Sequence, residues 1–139
     1  MSQINEMLDL LRHWQGLERQ GVETTAAIME ETDNLVIRLF MEIIRNDSVQ
    51  HHRVQQFMID LLTKSAPRLS WQELGEISEQ IDKHNELEKE TVRLATELRE
   101  KCTDPVQKQL LTYLLTEEKK HVDMLANLDE LKAHMSKLH

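Results

Sequence analysis

The chain has 139 residues, 40% of them hydrophobic and 30% charged, with three glycines, two prolines and 4% aromatics. This balance excludes intrinsic disorder and favours long helices over strands, and the length suffices for one domain with a real core. Seventeen basic residues against 25 acidic ones give a formal charge of -8. With no basic stripe in the chain, that charge speaks against nucleic acid or an anionic membrane surface as a partner.

Ser2 can cap a first helix over 2–31. Its opening stretch, Met1 to Trp14, lacks the basic start and apolar run of a signal peptide. The helix carries a seam in steps of three and four: Ile4, Met7, Leu11, Trp14, Glu18, Gly21, Thr25 and Ile28. Polar capping residues at Thr32-Asp33-Asn34 predict a turn, and a second helix follows over 34–63. Its seam runs Ile37, Phe40, Ile44, Asp47, His51, Val54, Met58 and Leu61. A short loop is expected over 64–69.

Ser70 to Glu73 forms a capping box that opens a third helix over 71–102, with the seam Leu74, Ile77, Ile81, His84, Glu88, Thr91, Ala95 and Leu98. Cys102, the only cysteine, sits at its end as a small buried residue. A lone cysteine excludes an internal disulfide and fits a reducing cytoplasm. Asp104-Pro105 is the strongest start signal, opening a fourth helix over 105–137. Its seam is Leu110, Leu114, Glu117, His121, Met124, Leu128, Leu131 and Met135. No stretch approaches the roughly 18 apolar residues a membrane span needs. The expectation is a soluble cytoplasmic protein.

The two halves match at a constant offset of 70. Leu17-Glu18-Arg19 falls on Leu87-Glu88-Lys89, Val22 on Val92, Asp47 on Glu117 and His51 on His121. The pattern predicts a single all-α domain, a four-helix bundle of two similar antiparallel hairpins spanning 2–63 and 71–137. The short middle loop favours an up-down-up-down order.

Each seam turns polar or small near its middle, at Glu18, Asp47/His51, His84/Glu88 and Glu117/His121. Counted from the turns at about 1.5 Å per residue, these groups meet at one level of the bundle. Burying such carboxylates and imidazoles unpaired costs several kcal/mol each, so something must compensate. A pair of divalent cations does so, with carboxylates bridging and neutral imidazoles supplying nitrogen. A purely hydrogen-bonded polar layer that fixes helix register is the alternative.

Glu18, Glu88 and the intact Glu-x-x-His at Glu118-Lys119-Lys120-His121 resemble the small ferritin-like, rubrerythrin-type di-iron proteins. The resemblance implies two divalent ions, iron first with manganese or zinc as substitutes, acting on oxygen, peroxide or iron itself. Glu18, Glu88, Asp47 and Glu117 or Glu118 would be carboxylate ligands, with His51 and His121 as nitrogen ligands. The chain departs from that family twice. Ser48-Val49-Gln50-His51 replaces the second Glu-x-x-His, and the middle loop is too short for the family's long crossover.

Glu117 and Glu118 both remain candidates, the i,i+4 spacing shared with Asp47 and His51 favouring Glu117. His84-Asn85-Glu86-Leu87-Glu88 also resembles one spacing of the hemerythrin-like oxygen and metal binders, on the third helix rather than the second. His84, which falls on Trp14 in the repeat, is thus either a ligand or a core or rim histidine. His13, His52, His134 and His139 are expected off the layer, and Glu86 and Glu90 on a solvated face. Helical hairpins associate readily, so a homodimer is a further expectation. No phosphate loop, nucleophile motif or Cys-x-x-Cys points to another enzyme class.

Overall fold

The structure, a computed structural model, describes residues 2–64 and 70–136, without the side chains of 132 and 134–136. The chain is all-α: α1 (Gln3–Glu31), α2 (Leu35–Thr63), α3 (Trp71–Lys101) and α4 (Pro105–Ser136), with no strand among the described residues. These bounds match the expected ones to within a residue. The expected loop lies outside the described residues apart from Lys64. So do residue 137, the side chains of His134 and Met135, and His139.

Every helix begins where its capping chemistry sits. Ser2 accepts the Asn5 N–H at 3.2 Å, and Asn34 accepts the N–H groups of Val36 and Ile37. Ser70 accepts the Glu73 N–H at 3.3 Å, while Asp104 accepts those of Val106 and Gln107 at 2.8 and 3.0 Å. Each cap satisfies donors that have no partner inside the helix. The far end of α1 is closed from α2: the Arg38 guanidinium donates to the carbonyls of Met29 and Thr32.

The helices pack in two units, α1 on α2 within Met1–Pro67 and α3 on α4 within Arg68–His139. This is the pairing expected of two hairpins, each turned by a three-residue connection, 32–34 and 102–104. In the first, Leu8, Leu11, Gln15 and Thr25 of α1 and Gln55 and Ile59 of α2 are buried, with Leu8, Leu11 and Ile59 forming one cluster. In the second, Leu74 and Glu88 of α3 are buried, as are Leu111 and Leu115 of α4.

Within each hairpin the contact line differs from the predicted seam. On α1 it runs Leu8, Leu11, Gln15, Glu18, Val22, Thr25 and Met29, all buried or half-buried; on α2 it runs Met41, Ser48, His52, Gln55, Ile59 and Leu62. Only Leu11, Glu18 and Thr25 belong to both the predicted α1 seam and this line. Ile4, Met7, Trp14, Ile28, Ile44, Val54, Met58 and Leu61 stay exposed. The third and fourth helices repeat this displacement: Leu74, Ile81, Glu88 and Ala95 are shared, whereas Ile77, Leu98, Leu114, Met124 and Leu131 are exposed. One residue is a rotation of about 100°. The apolar arc of each helix is wider than a single helix–helix contact, and the hairpin uses only one edge of it.

Two glycines test this packing. A Cβ on Gly75 would meet nothing within 4 Å, whereas one on Gly21 would lie 3.2 Å from Ser48 Oγ. Alanine inside a helix is favoured over glycine by roughly 0.5–1 kcal/mol. Gly75→Ala should therefore raise the unfolding free energy by about that amount. Gly21→Ala should gain less or lose stability, because Ser48 must shift. Urea unfolding of both variants checks the order.

Candidate metal centre

The polar level of each hairpin is built around a carboxylate on its first helix. Glu18 and Glu88 sit at positions shared by the predicted seam and the contact line, so backbone geometry drives both into the helix–helix contact. Their side chains are 12% and 9% exposed. Histidines at the edge of the contact reach in to them. His51 Nδ1 lies 3.5 Å from Glu18 Oε1, and His121 Nδ1 lies 3.4 Å from Glu88 Oε1. The two pairs are equivalent under the 70-residue offset. Both histidine side chains are about half-exposed, so neither lies in the hydrophobic interior that the sequence pattern predicts.

The second hairpin adds two more groups. His84 Nε2 lies 2.8 Å from Glu88 Oε1, and since a carboxylate only accepts, the ring donates. Glu118 Oε2 lies 3.9 Å from His121 Nδ1. Glu88, Glu118 and His121 each offer a ligand atom, all within 4.8 Å of one another. Two donors about 2.1 Å from a tetrahedral zinc stand about 3.4 Å apart, which is the spacing of Glu88 Oε1 and His121 Nδ1, though that oxygen also accepts from His84.

Glu88 Oε2 is the decisive atom. It is buried and has no hydrogen-bond partner among the described residues, while Oε1 accepts from His84 and lies 3.4 Å from His121 Nδ1. Leaving a buried carboxylate oxygen uncompensated is costly, and the neighbouring Glu118 and His121 are donors of the type that hold divalent cations. On that ground the donor set fits a metal.

The remaining candidates separate. Glu117 turns away to an ion pair with Lys120 at 2.9 Å, so Glu118, in an i,i+3 relation to His121, is the carboxylate that joins the group. The i,i+4 spacing misleads here because residues three and four apart flank the same face, and the second helix contact selects between them. Asp47 is half-buried but takes no part in the Glu18–His51 pair. His52 is engaged elsewhere: Arg19 donates to its Nε2 at 3.0 Å. His13 is exposed, and Cys102 is half-buried as the C-cap of α3.

Spacing arguments miss three buried polar side chains. Gln15 donates to the His52 carbonyl at 3.3 Å and to Gln56 Oε1 at 3.1 Å. Gln55 Oε1 and Asn85 Oδ1 are buried without a partner among the described residues. The signal was present in the repeat, since Gln15 and Asn85 lie 70 apart, but both fall on the contact line rather than the predicted seam.

No protein-family model, curated protein or solved structure matches the chain. No described helix is long and apolar enough to cross a membrane.

Glu86 and Glu90 lie on the solvated face, paired with Lys89 and Arg93. The hydrogen bond from Arg93 holds the Glu90 carboxyl below its ordinary value of 4.5. A folded value below the unfolded one gives a contribution present above 4.5 that disappears as pH falls through the lowered value. In an NMR titration Glu90 should protonate at lower pH than an isolated glutamate, and Arg93→Gln should move that midpoint upward.

Proposed function

We propose that this protein is a divalent-metal-binding helical protein acting in iron oxidation or in oxygen or peroxide handling. The observation that carries the reading is the buried Glu88 carboxylate, with one oxygen held by His84 and His121 and the other without a partner. Glu88, Glu118 and His121 would hold a cation, and His84 would orient Glu88. Glu18 and His51 offer the same donor types on the first hairpin.

Bound iron or manganese would supply electron transfer to oxygen or peroxide, whereas zinc would supply only a fixed positive charge. The chain's own residues set the conditions. Glu88 brings a carboxylate into the buried helix–helix contact, where charge acts more strongly than in water. His84 fixes which Glu88 oxygen is committed. His121 and Glu118, at the edge of the contact, leave the site open to small molecules. Protons compete with a cation for every one of these donors, so occupancy should fall as the solution is acidified.

Metal content by inductively coupled plasma mass spectrometry tests the reading on untagged protein reconstituted anaerobically with ferrous iron. The expected result is one to two equivalents per chain in the unaltered protein and a large loss in His121→Ala. His13→Ala, at an exposed position, should retain the full content. Equal metal content in the two variants would sink the assignment.

A second reading has its own support. The Glu18–His51, His84–Glu88 and Glu88–His121 contacts compensate the buried carboxylates in part without any metal. On this reading the layer sets helix register in a non-catalytic interaction protein. It predicts no bound metal and a thermal midpoint that a chelator leaves unchanged.

A further inference from the structure

The two hairpins share a register at the polar level but differ in what they place there. Glu18 and Glu88 correspond, as do His51 and His121. Around them, Trp14 stands where the second half has His84, Ser48 where it has Glu118, and Gly21 where it has Thr91. In the first hairpin Gly21 and Ser48 approach closely, about one helical turn along from Glu18 and His51 respectively. That hairpin offers one carboxylate and one imidazole in contact, with Asp47 outside the pair. The second brings together two carboxylates and two imidazoles, including the 93%-buried Glu88 with its unpartnered Oε2.

We infer that the first divalent cation this protein takes is held by the second hairpin alone, through Glu88, Glu118 and His121, with His84 as a positioning residue. The inference rests on the metal-binding reading above and goes further, assigning unequal roles to two halves that repeat one another. The donors also select the class of ion. Calcium needs six to eight oxygen ligands and magnesium a hydrated octahedron of oxygens. Two carboxylates with an imidazole suit zinc, cobalt or ferrous iron at low coordination number.

His84 contributes indirectly. By donating to Oε1 it fixes the rotamer of Glu88 and leaves Oε2 uncommitted. Such outer partners of a ligand typically change metal affinity by about 10–100-fold when removed. The equivalent position in the first half carries Trp14, an exposed side chain whose one polar group is the indole N–H.

The test is a calorimetric and visible-absorption titration of the full chain with cobalt(II) alone, far-UV circular dichroism confirming that each variant keeps its helicity. The unaltered protein should bind a first equivalent that excess magnesium does not displace. His121→Ala and Glu118→Gln should weaken that equivalent by more than about tenfold, and His84→Ala by at least about tenfold. His84→Gln, which keeps an N–H donor, should recover part of the loss. His51→Ala and Glu18→Gln should leave the first equivalent within about twofold and remove only a second one. If His51→Ala weakens the first equivalent as much as His121→Ala does, the inference is overturned while the metal-binding reading stands. If the unaltered, folded protein binds no cobalt, both fail.

Discussion

A carboxylate buried between two helices is the constraint around which each hairpin is organised. The second hairpin has only three buried hydrophobic side chains among the described residues, Leu74, Leu111 and Leu115. Each such leucine contributes about 1.5–3 kcal/mol, and an unpaired buried charge costs several. One uncompensated Glu88 would therefore cancel much of what those leucines provide. Histidine is the side chain that resolves the conflict, because its ring nitrogens reach the carboxylate from the half-exposed edge of the contact while the ring stays partly hydrated. His84 and His121 do this for Glu88, and His51 does it for Glu18.

Compensation is incomplete in the second hairpin, and the excess is informative. Two histidines share one oxygen of Glu88, and the other oxygen is buried without a partner. A layer serving only to set register would be expected to satisfy both oxygens, since a partly satisfied polar network is worse than an apolar one. The arrangement instead retains an unspent negative charge beside a second carboxylate and an imidazole. This imbalance supports the metal-binding proposal over the register-setting one. It also distinguishes the second half of the repeat from the first, where Gly21 and Ser48 close the helices together and leave the simpler Glu18–His51 pair.

The apolar surface follows the same geometry. Each helix carries an apolar arc wide enough for two contacts, and the hairpin consumes one edge of it. The shared positions, Leu11, Glu18 and Thr25 on α1 and Leu74, Ile81, Glu88 and Ala95 on α3, lie between the edges. Glu18 and Glu88 therefore occupy the one row of their helices that belongs to both faces. That placement buries them and keeps them adjacent to the half-exposed edge where the histidines stand.

Local chemistry was enough to read the helices from the sequence. Ser2, Asn34, Ser70 and Asp104 cap them because short-range hydrogen bonding needs only neighbours in the chain, and the 70-residue offset exposed the two hairpins and the Glu18–His51 and Glu88–His121 pairs. Tertiary packing decided the rest. Helical periodicity locates the centre of an apolar arc but not which edge meets a partner, so Gln15, Gln55 and Asn85 on the contact line escaped notice. Glu117 and Glu118 are adjacent on one helix and each meets a partner three residues on within α4, Lys120 and His121; what the packing of α3 adds is Glu88 beside the second pair. The sequence determined which residue types share a level. The packing of two helices determined which of their atoms meet, because a rotation of one residue exchanges one face of a helix for the next.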